Sequence, residues 1–140
     1  MRIFLDANIL FSAAKSNGAI HHLLALLRES GHECWVDGFV VEEARRNLEL
    51  KSPEGSAALA GLLARLHVAG VQPLRSQHNS ALGATLPLPP KDRPVLAAAI
   101  HLRCKALVTG DRKHFGALYG KVVRGVTIHS PQSNAELLLG

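Results

Sequence analysis

The sequence predicts an α/β fold, a single three-layer α/β/α sandwich over residues 1–140 whose central parallel sheet is covered by helices on both faces. Three observations carry this. Short apolar runs of strand length alternate with longer segments whose apolar residues recur at helical spacing, the pattern of strand-helix-strand units wound on one sheet. The chain has 140 residues, enough for a core without covalent staples, and no repeat, low-complexity tract or linker divides it. Four acids, Asp6, Glu43, Asp92 and Asp111, each stand where a predicted strand ends or a predicted helix begins, and open α/β sheets bind ligands at that edge.

Taken in order, Arg2 to Leu5 reads as the first strand, with Asp6-Ala7-Asn8 as a strand-to-helix turn after it. Ile20, Leu23, Leu24 and Leu27 mark one face of a helix that Gly31 stops. Glu33 to Val36 forms a second strand and Phe39 to Leu50 a second helix. Pro53 opens a further helix with Leu59, Leu62, Leu63 and Leu66 on its buried stripe, before a short strand near Val71 to Leu74. The Pro-rich run Gly83 to Pro90 is a loop that leads directly to Asp92. A helix from Arg93 to Arg103, a strand from Ala106 to Thr109, a short helix after Asp111, a strand near Val126 to His129 and a terminal helix from Gln132 complete the pattern.

Formal charge is +5 and the pI about 9.7, although the eleven acids include the four at the element ends. The remaining surface is therefore more basic than the total, which suits a polyanion such as nucleic acid. Cys34 and Cys104 stand apart without metal-site or disulfide spacing, and are expected as reduced, buried thiols of a cytoplasmic protein. The apolar start is too short for a secretory signal, and no stretch is long and apolar enough for a membrane span.

Each acid carries a bland reading beside the chemical one. Asp6, Asp92 and Asp111 all occupy positions where aspartate caps a helix or closes a turn. Four carboxylates converging at one sheet edge would repel one another strongly unless divalent cations neutralised them. Glu42 has Arg45 and Arg46 three and four residues on, so it reads as a surface ion pair. Glu43 shares its helix face with Val40 and Asn47 and points inward, where a carboxylate needs a partner.

Asp6-Ala7-Asn8, the run Val41 to Leu48, Asp92 to Ala99 and Leu107 to Phe115 together resemble the successive motifs of PIN domains, over nearly the whole chain. That resemblance implies a PIN-like fold and a metal-dependent ribonuclease, in many members the toxin of a bacterial toxin-antitoxin pair. By position, Asp6, Glu43, Asp92 and Asp111 would be the catalytic acids and the ligands of Mg²⁺ or Mn²⁺, with Asn8 and Thr109 standing behind them. RNA would be the substrate, a separate antitoxin protein a partner, and a homodimer the assembly, with the face from Leu59 to Leu66 as one candidate surface, although a core role is the simpler reading of those leucines. The chain departs from the pattern after Asp111, where many members carry a further acid and this one has Arg112-Lys113-His114. His114 is expected as an exposed surface residue.

Mg²⁺ prefers carboxylate oxygens and keeps several waters, and a pair of such ions activates water and stabilises the leaving oxygen in an in-line displacement. Arg45, Arg46, Lys91, Arg93, Arg112 and Lys113 lie near the acidic motifs and are candidates for phosphate contacts. The four Phe, one Trp and one Tyr do not interleave with basic residues, so no stacking platform for bases is evident. The eight histidines include no i, i+4 pair on a helix, and no phosphate-binding P-loop, dinucleotide fingerprint or nucleophile elbow is present. A haloacid dehalogenase-type phosphatase would need an acid where Asn8 stands. The competing reading is a non-catalytic PIN-like scaffold that binds RNA or protein and uses its acids as caps.

Overall fold

Ile3, Phe4 and Leu5 are β-favouring residues with no accessible surface, and they make β1 (Arg2–Leu5) a strand covered on both faces, as a parallel sheet requires. A computed structural model of the protein describes residues 1–70, 82–83 and 86–139. Beside β1 lie β2 (Glu33–Asp37) on one side and β4 (Ala106–Val108) on the other, with Phe4 opposite Trp35 and Leu107. β3 (His67–Ala69) extends the sheet beyond β2, and β6 (Val126–His129) extends it beyond β4. With β5 (Val122–Val123) at the far edge, the order β3-β2-β1-β4-β6-β5 reverses direction between β1 and β4. That reversal is where a doubly wound sheet opens a crevice at its carboxyl edge.

Helices flank this sheet: α1 (Ala7–Lys15), α2 (Ala19–Glu29), α3 (Gly38–Lys51), α4 (Ser56–Leu63), α5 (Arg93–His101), α6 (Arg112–Phe115) and α7 (Pro131–Leu139). α1 packs against α2, α3 and α4, and α2 against α7. Leu24, Leu27, Leu48, Leu96 and Phe115 are fully or almost fully buried, each contributing about 1.5–3 kcal/mol of apolar burial. α5 packs against β4 with Val95 and the small Ala97, Ala98 and Ala99 buried, which lets its amino end sit close to the carboxyl end of that strand. Among the described residues no helix is long and apolar enough to cross a membrane.

The periodicity places most elements correctly, and the differences have local causes. α1 is a full helix where the sequence suggests only a turn: of its buried face only Ile9 and Leu10 are large, and Ala7, Ala13 and Ala14 add little periodic signal. β5 (Val122–Val123) pairs antiparallel with β6, so the sheet is mixed. Arg124 (φ 48°) and Gly125 (φ 85°) form the tight turn between them, and positive φ at both positions matches the right-handed twist of a hairpin. Gly31 ends α2 with φ 87°, and the His32 amide donates back to the Leu27 carbonyl at 3.0 Å, a left-handed helix stop. A three-residue 3₁₀ turn, Pro53–Gly55, precedes α4, whose Leu59 and Leu62 are buried while Leu63 and Leu66 pack partly covered against the core. Those leucines therefore serve the interior. The strand expected at 71–74 lies outside the described residues, and the strand beyond β2 is the earlier His67–Ala69. Both cysteines are buried, with Cys34 pushed up to about 11 and Cys104 to about 12 by burial, so neither is a reactive thiolate.

Candidate functional site

The carboxyl ends of β1 and β4 meet through side chains that leave them. Asp6 follows β1, and its amide continues the ladder to the Val108 carbonyl at 3.0 Å. Its Oδ1 accepts the Ala7 amide at 2.8 Å, and its Oδ2 accepts the Thr109 hydroxyl at 2.8 Å. Asn8 bridges the same two strand ends: its Oδ1 accepts the Gly110 amide at 2.9 Å, and its Nδ2 lies 3.4 Å from Thr109 Oγ1 and 3.5 Å from Asp6 Oδ2. Thr109 Oγ1 also accepts the Asp111 amide at 3.2 Å, while the Tyr119 hydroxyl donates to the Thr109 carbonyl at 2.7 Å. The two strand ends are thus bound into one rigid edge.

Asp6, Ala7, Asn8, Glu43, Asn47, Asp92 and Asp111 line an open cavity of about 160 Å³ at this edge. All four acids singled out in the sequence meet there. Glu43 arrives from the second turn of α3 rather than from its start, one helical turn before Asn47 on the same face. Asp37 holds α3 in that orientation by accepting the Val40 amide at 3.0 Å as its N-cap. Asn47 is a lining residue that the sequence marks only as a neighbour of Glu43 on its helix face.

Burial is the largest influence on Asp6 and raises its carboxyl from an ordinary 3.8 to about 6, helped by the charges of Glu43 and Asp92 and opposed by the hydrogen bonds from Thr109 and Ala7. Asp92 is likewise raised, mainly by burial and also by Asp111, against the lowering influence of His114 and Lys91.

The capping reading survives in part. Asp6 caps α1, and Asp111 caps α6 by accepting the His114 amide at 3.1 Å. Asp92, at the N-cap of α5, makes no side-chain capping bond. Its Oδ2 is buried and, among the described residues, has no hydrogen-bond partner. His114 Nδ1 stands 3.3 Å from that oxygen, but it forms its hydrogen bond with Asp111 Oδ2 at 2.7 Å. His114 is therefore not the exposed surface residue expected from sequence: its side chain is 21 % exposed and wedged between two acids. One ligand atom from each of Asp92, Asp111 and His114 lies within 4.8 Å of the others.

The basic residues divide. Arg93 turns away from the role of phosphate contact expected from sequence and ties down the loop before Asp92, with Nε donating to Leu88 O at 3.1 Å, Nη1 to Gly83 O at 2.7 Å and Nη2 to Leu86 O at 2.9 Å. Arg93→Ala is expected to destabilise the protein by about 2 kcal/mol, and Arg93→Lys to recover little of it, because one ammonium cannot reproduce a fork that meets three carbonyls. Thermal melts of the two variants check this, and an unchanged melting temperature in Arg93→Ala would remove the anchoring role. Arg45 pairs with Glu42 at 2.6 Å on the exposed face of α3, worth a few tenths of a kcal/mol. Arg46, Lys91, Arg112 and Lys113 are exposed.

A family model of the PIN domain matches residues 2–113. No curated protein matches the sequence. Among solved structures, the chain resembles VapBC2 from Rickettsia felis bound to a DNA fragment from the promoter, with a TM-score of 0.72 at 17% identity over 93% of this chain and 98% of that one. The DNA-bound VapBC of Salmonella typhimurium gives 0.69 at 18% identity, covering 94% of this chain and 98% of that one. VapC20 of Mycobacterium tuberculosis, described as a toxin that cleaves the sarcin-ricin loop, gives 0.61 at 16% identity, covering 82% and 94%. These likenesses establish the fold. With the family model spanning both acidic ends of the crevice, from β1 to the start of α6, the chain belongs to the PIN domain family.

Proposed function

We propose that the protein is a divalent-metal-dependent ribonuclease that hydrolyses RNA phosphodiester bonds, its working unit the single PIN-like domain of residues 1–140. The observation that carries this reading is Asp92 Oδ2, a buried carboxylate oxygen with no hydrogen-bond partner among the described residues, on a side chain that lines a cavity with Asp6, Glu43 and Asp111. A cap or structural acid would be satisfied by amide or hydroxyl donors, whereas an acid that serves a cation leaves a carboxylate oxygen without such a donor. The donor set, four carboxylates with the amides of Asn8 and Asn47 close by, fits a hard cation such as Mg²⁺ or Mn²⁺.

When bound, divalent ions supply Lewis-acid polarisation of phosphate and activation of water. The chain's own residues supply position and charge. Asp6, held by Ala7 and Thr109, presents a carboxylate of fixed orientation at the cavity floor. Glu43 and Asn47 line the cavity from α3, and Asp92 and Asp111 from the starts of α5 and α6. Arg46, Lys91, Arg112 and Lys113 are the exposed cations left to meet the flanking phosphates of a strand. Hydrolysis by water leaves a 5′-phosphate and a 3′-hydroxyl.

Cleavage of a mixed RNA pool with Mg²⁺ or Mn²⁺ and with EDTA tests the reading. Metal-dependent products ending in 5′-phosphate are expected. Ends bearing a 2′,3′-cyclic phosphate would overturn the mechanism, and binding of RNA without cutting by folded protein would favour the scaffold alternative. The toxin assignment is supported by the resemblance to VapBC complexes and carries its own check. Growth arrest on expression, relieved by a neighbouring gene product acting as a separate antitoxin, is the expected outcome, and harmless overproduction of active enzyme would count against it.

A further inference from the structure

His114 does what no surface histidine needs to do. Its amide donates to Asp111 Oδ1 and its Nδ1 reaches Asp111 Oδ2, so ring and carboxylate are fixed to each other within one turn of α6. Phe115, fully buried beside it, and the Phe115 amide donating to the Asp111 carbonyl at 2.9 Å anchor that turn to the core. On the other side, 3.3 Å from the same Nδ1, lies Asp92 Oδ2, which has no hydrogen-bond partner among the described residues. Two carboxylate oxygens from different segments therefore converge on one imidazole nitrogen, and that nitrogen carries at most one proton to share between them. A divalent cation in the place of that proton would give all three atoms a partner at once.

We propose that His114 is a nitrogen ligand of the metal held by Asp92 and Asp111, and that it makes this side of the cavity select Mn²⁺ and later transition ions over Mg²⁺. The proposal rests on the reading of the acidic cavity as a divalent-metal site. Mg²⁺ takes oxygen ligands almost exclusively, while affinity for sites containing imidazole rises from Mn²⁺ along the first transition row. The ring would bind through Nδ1 as the neutral tautomer that keeps its proton on Nε2.

Titrations of the metal-free full chain with Mn²⁺ and with Mg²⁺, for wild type, His114→Ala and His114→Asp, together with pulsed electron paramagnetic resonance of the Mn²⁺-loaded proteins, test this. Wild type should show ¹⁴N coupling to bound Mn²⁺. His114→Ala should lose that coupling and at least about tenfold in Mn²⁺ affinity while its Mg²⁺ affinity stays nearly constant. His114→Asp, which returns an oxygen donor, should bind Mg²⁺ more tightly than wild type without ¹⁴N coupling. The Asp111 cap uses the backbone amide of residue 114, so both variants keep it, and circular dichroism verifies their folding. Binding of both ions by wild type with no ¹⁴N coupling, or with equal loss of both in His114→Ala, would overturn the role of His114 and leave the metal site standing. Failure of wild type to bind either ion would overturn both readings.

Discussion

Asp6→Asn should abolish cleavage and yet give a more stable metal-free protein. On the proposed reading of Asp6 as a metal ligand, its loss is expected to cost roughly 10³-fold in rate, about 4 kcal/mol of transition-state stabilisation. Stability moves the other way because the Asp6 carboxylate is charged in a place that disfavours charge. Its pKa rises on folding from 3.8 to about 6, with burial the main cause. Between those values the folded state binds more protons than the unfolded chain, so stability falls as pH rises through that window. Above it, the ionised carboxylate costs the fold about 3 kcal/mol. Asparagine removes that charge and still caps α1 through its amide oxygen, while its amide group makes a weaker contact with the Thr109 hydroxyl than the carboxylate does. A net gain of about 1 kcal/mol is expected after the weaker hydrogen bonding, and the melting temperature in EDTA near neutral pH should rise by a few degrees. Calorimetry on the two proteins measures it, and a variant that melts below wild type would mean that the carboxylate is already well satisfied without metal.

Metal should reverse that order. At a hundredfold excess over its dissociation constant, Mg²⁺ or Mn²⁺ is expected to stabilise the wild-type protein by about 2.7 kcal/mol, on the order of 8 °C in melting temperature. The effect depends on pH with a definite sign. Protons compete for the same carboxylates, so the gain should be complete well above the raised Asp6 value of about 6 and should fade as pH falls through it. EDTA should return the melting curve to that of the metal-free protein, and Asp6→Asn should respond weakly at any pH. Melting curves with and without metal across this pH range are the measurement. A metal shift of equal size on both sides of pH 6 would remove Asp6 from the ligand set.

Much of this molecule can be read locally. The strand Arg2–Leu5 announces itself because three consecutive apolar residues suit a strand covered on both faces, and the inward turn of Glu43 follows from its spacing to Val40 and Asn47 on one helix. α1 is less legible, since Ile9 and Leu10 are its only large buried residues and alanines bury the rest of that face without marking it. β5 is two residues long and owes its existence to the Arg124-Gly125 turn, a signal that is present in the sequence but short. Arg93 and His114 escape sequence reasoning for a different reason. An arginine beside an acidic motif and a histidine in a basic run look the same in sequence whether they face solvent or the interior. Their roles depend on which carbonyls and carboxylates the rest of the chain brings within 3.5 Å.

By itself, then, the order of residues determined the α/β class, the family and the identity of the four acids, because apolar period and motif spacing are properties of neighbours along the chain. Only the tertiary structure decided that Thr109 donates a hydrogen bond to Asp6, 103 residues away, that Asp92 Oδ2 has no hydrogen-bond partner among the described residues, and that His114 stands between Asp92 and Asp111. The physical reason is the reversal of strand order between β1 and β4, which brings the carboxyl ends of strands distant in sequence to one edge, where burial and mutual charge give ordinary aspartates properties that no local pattern encodes.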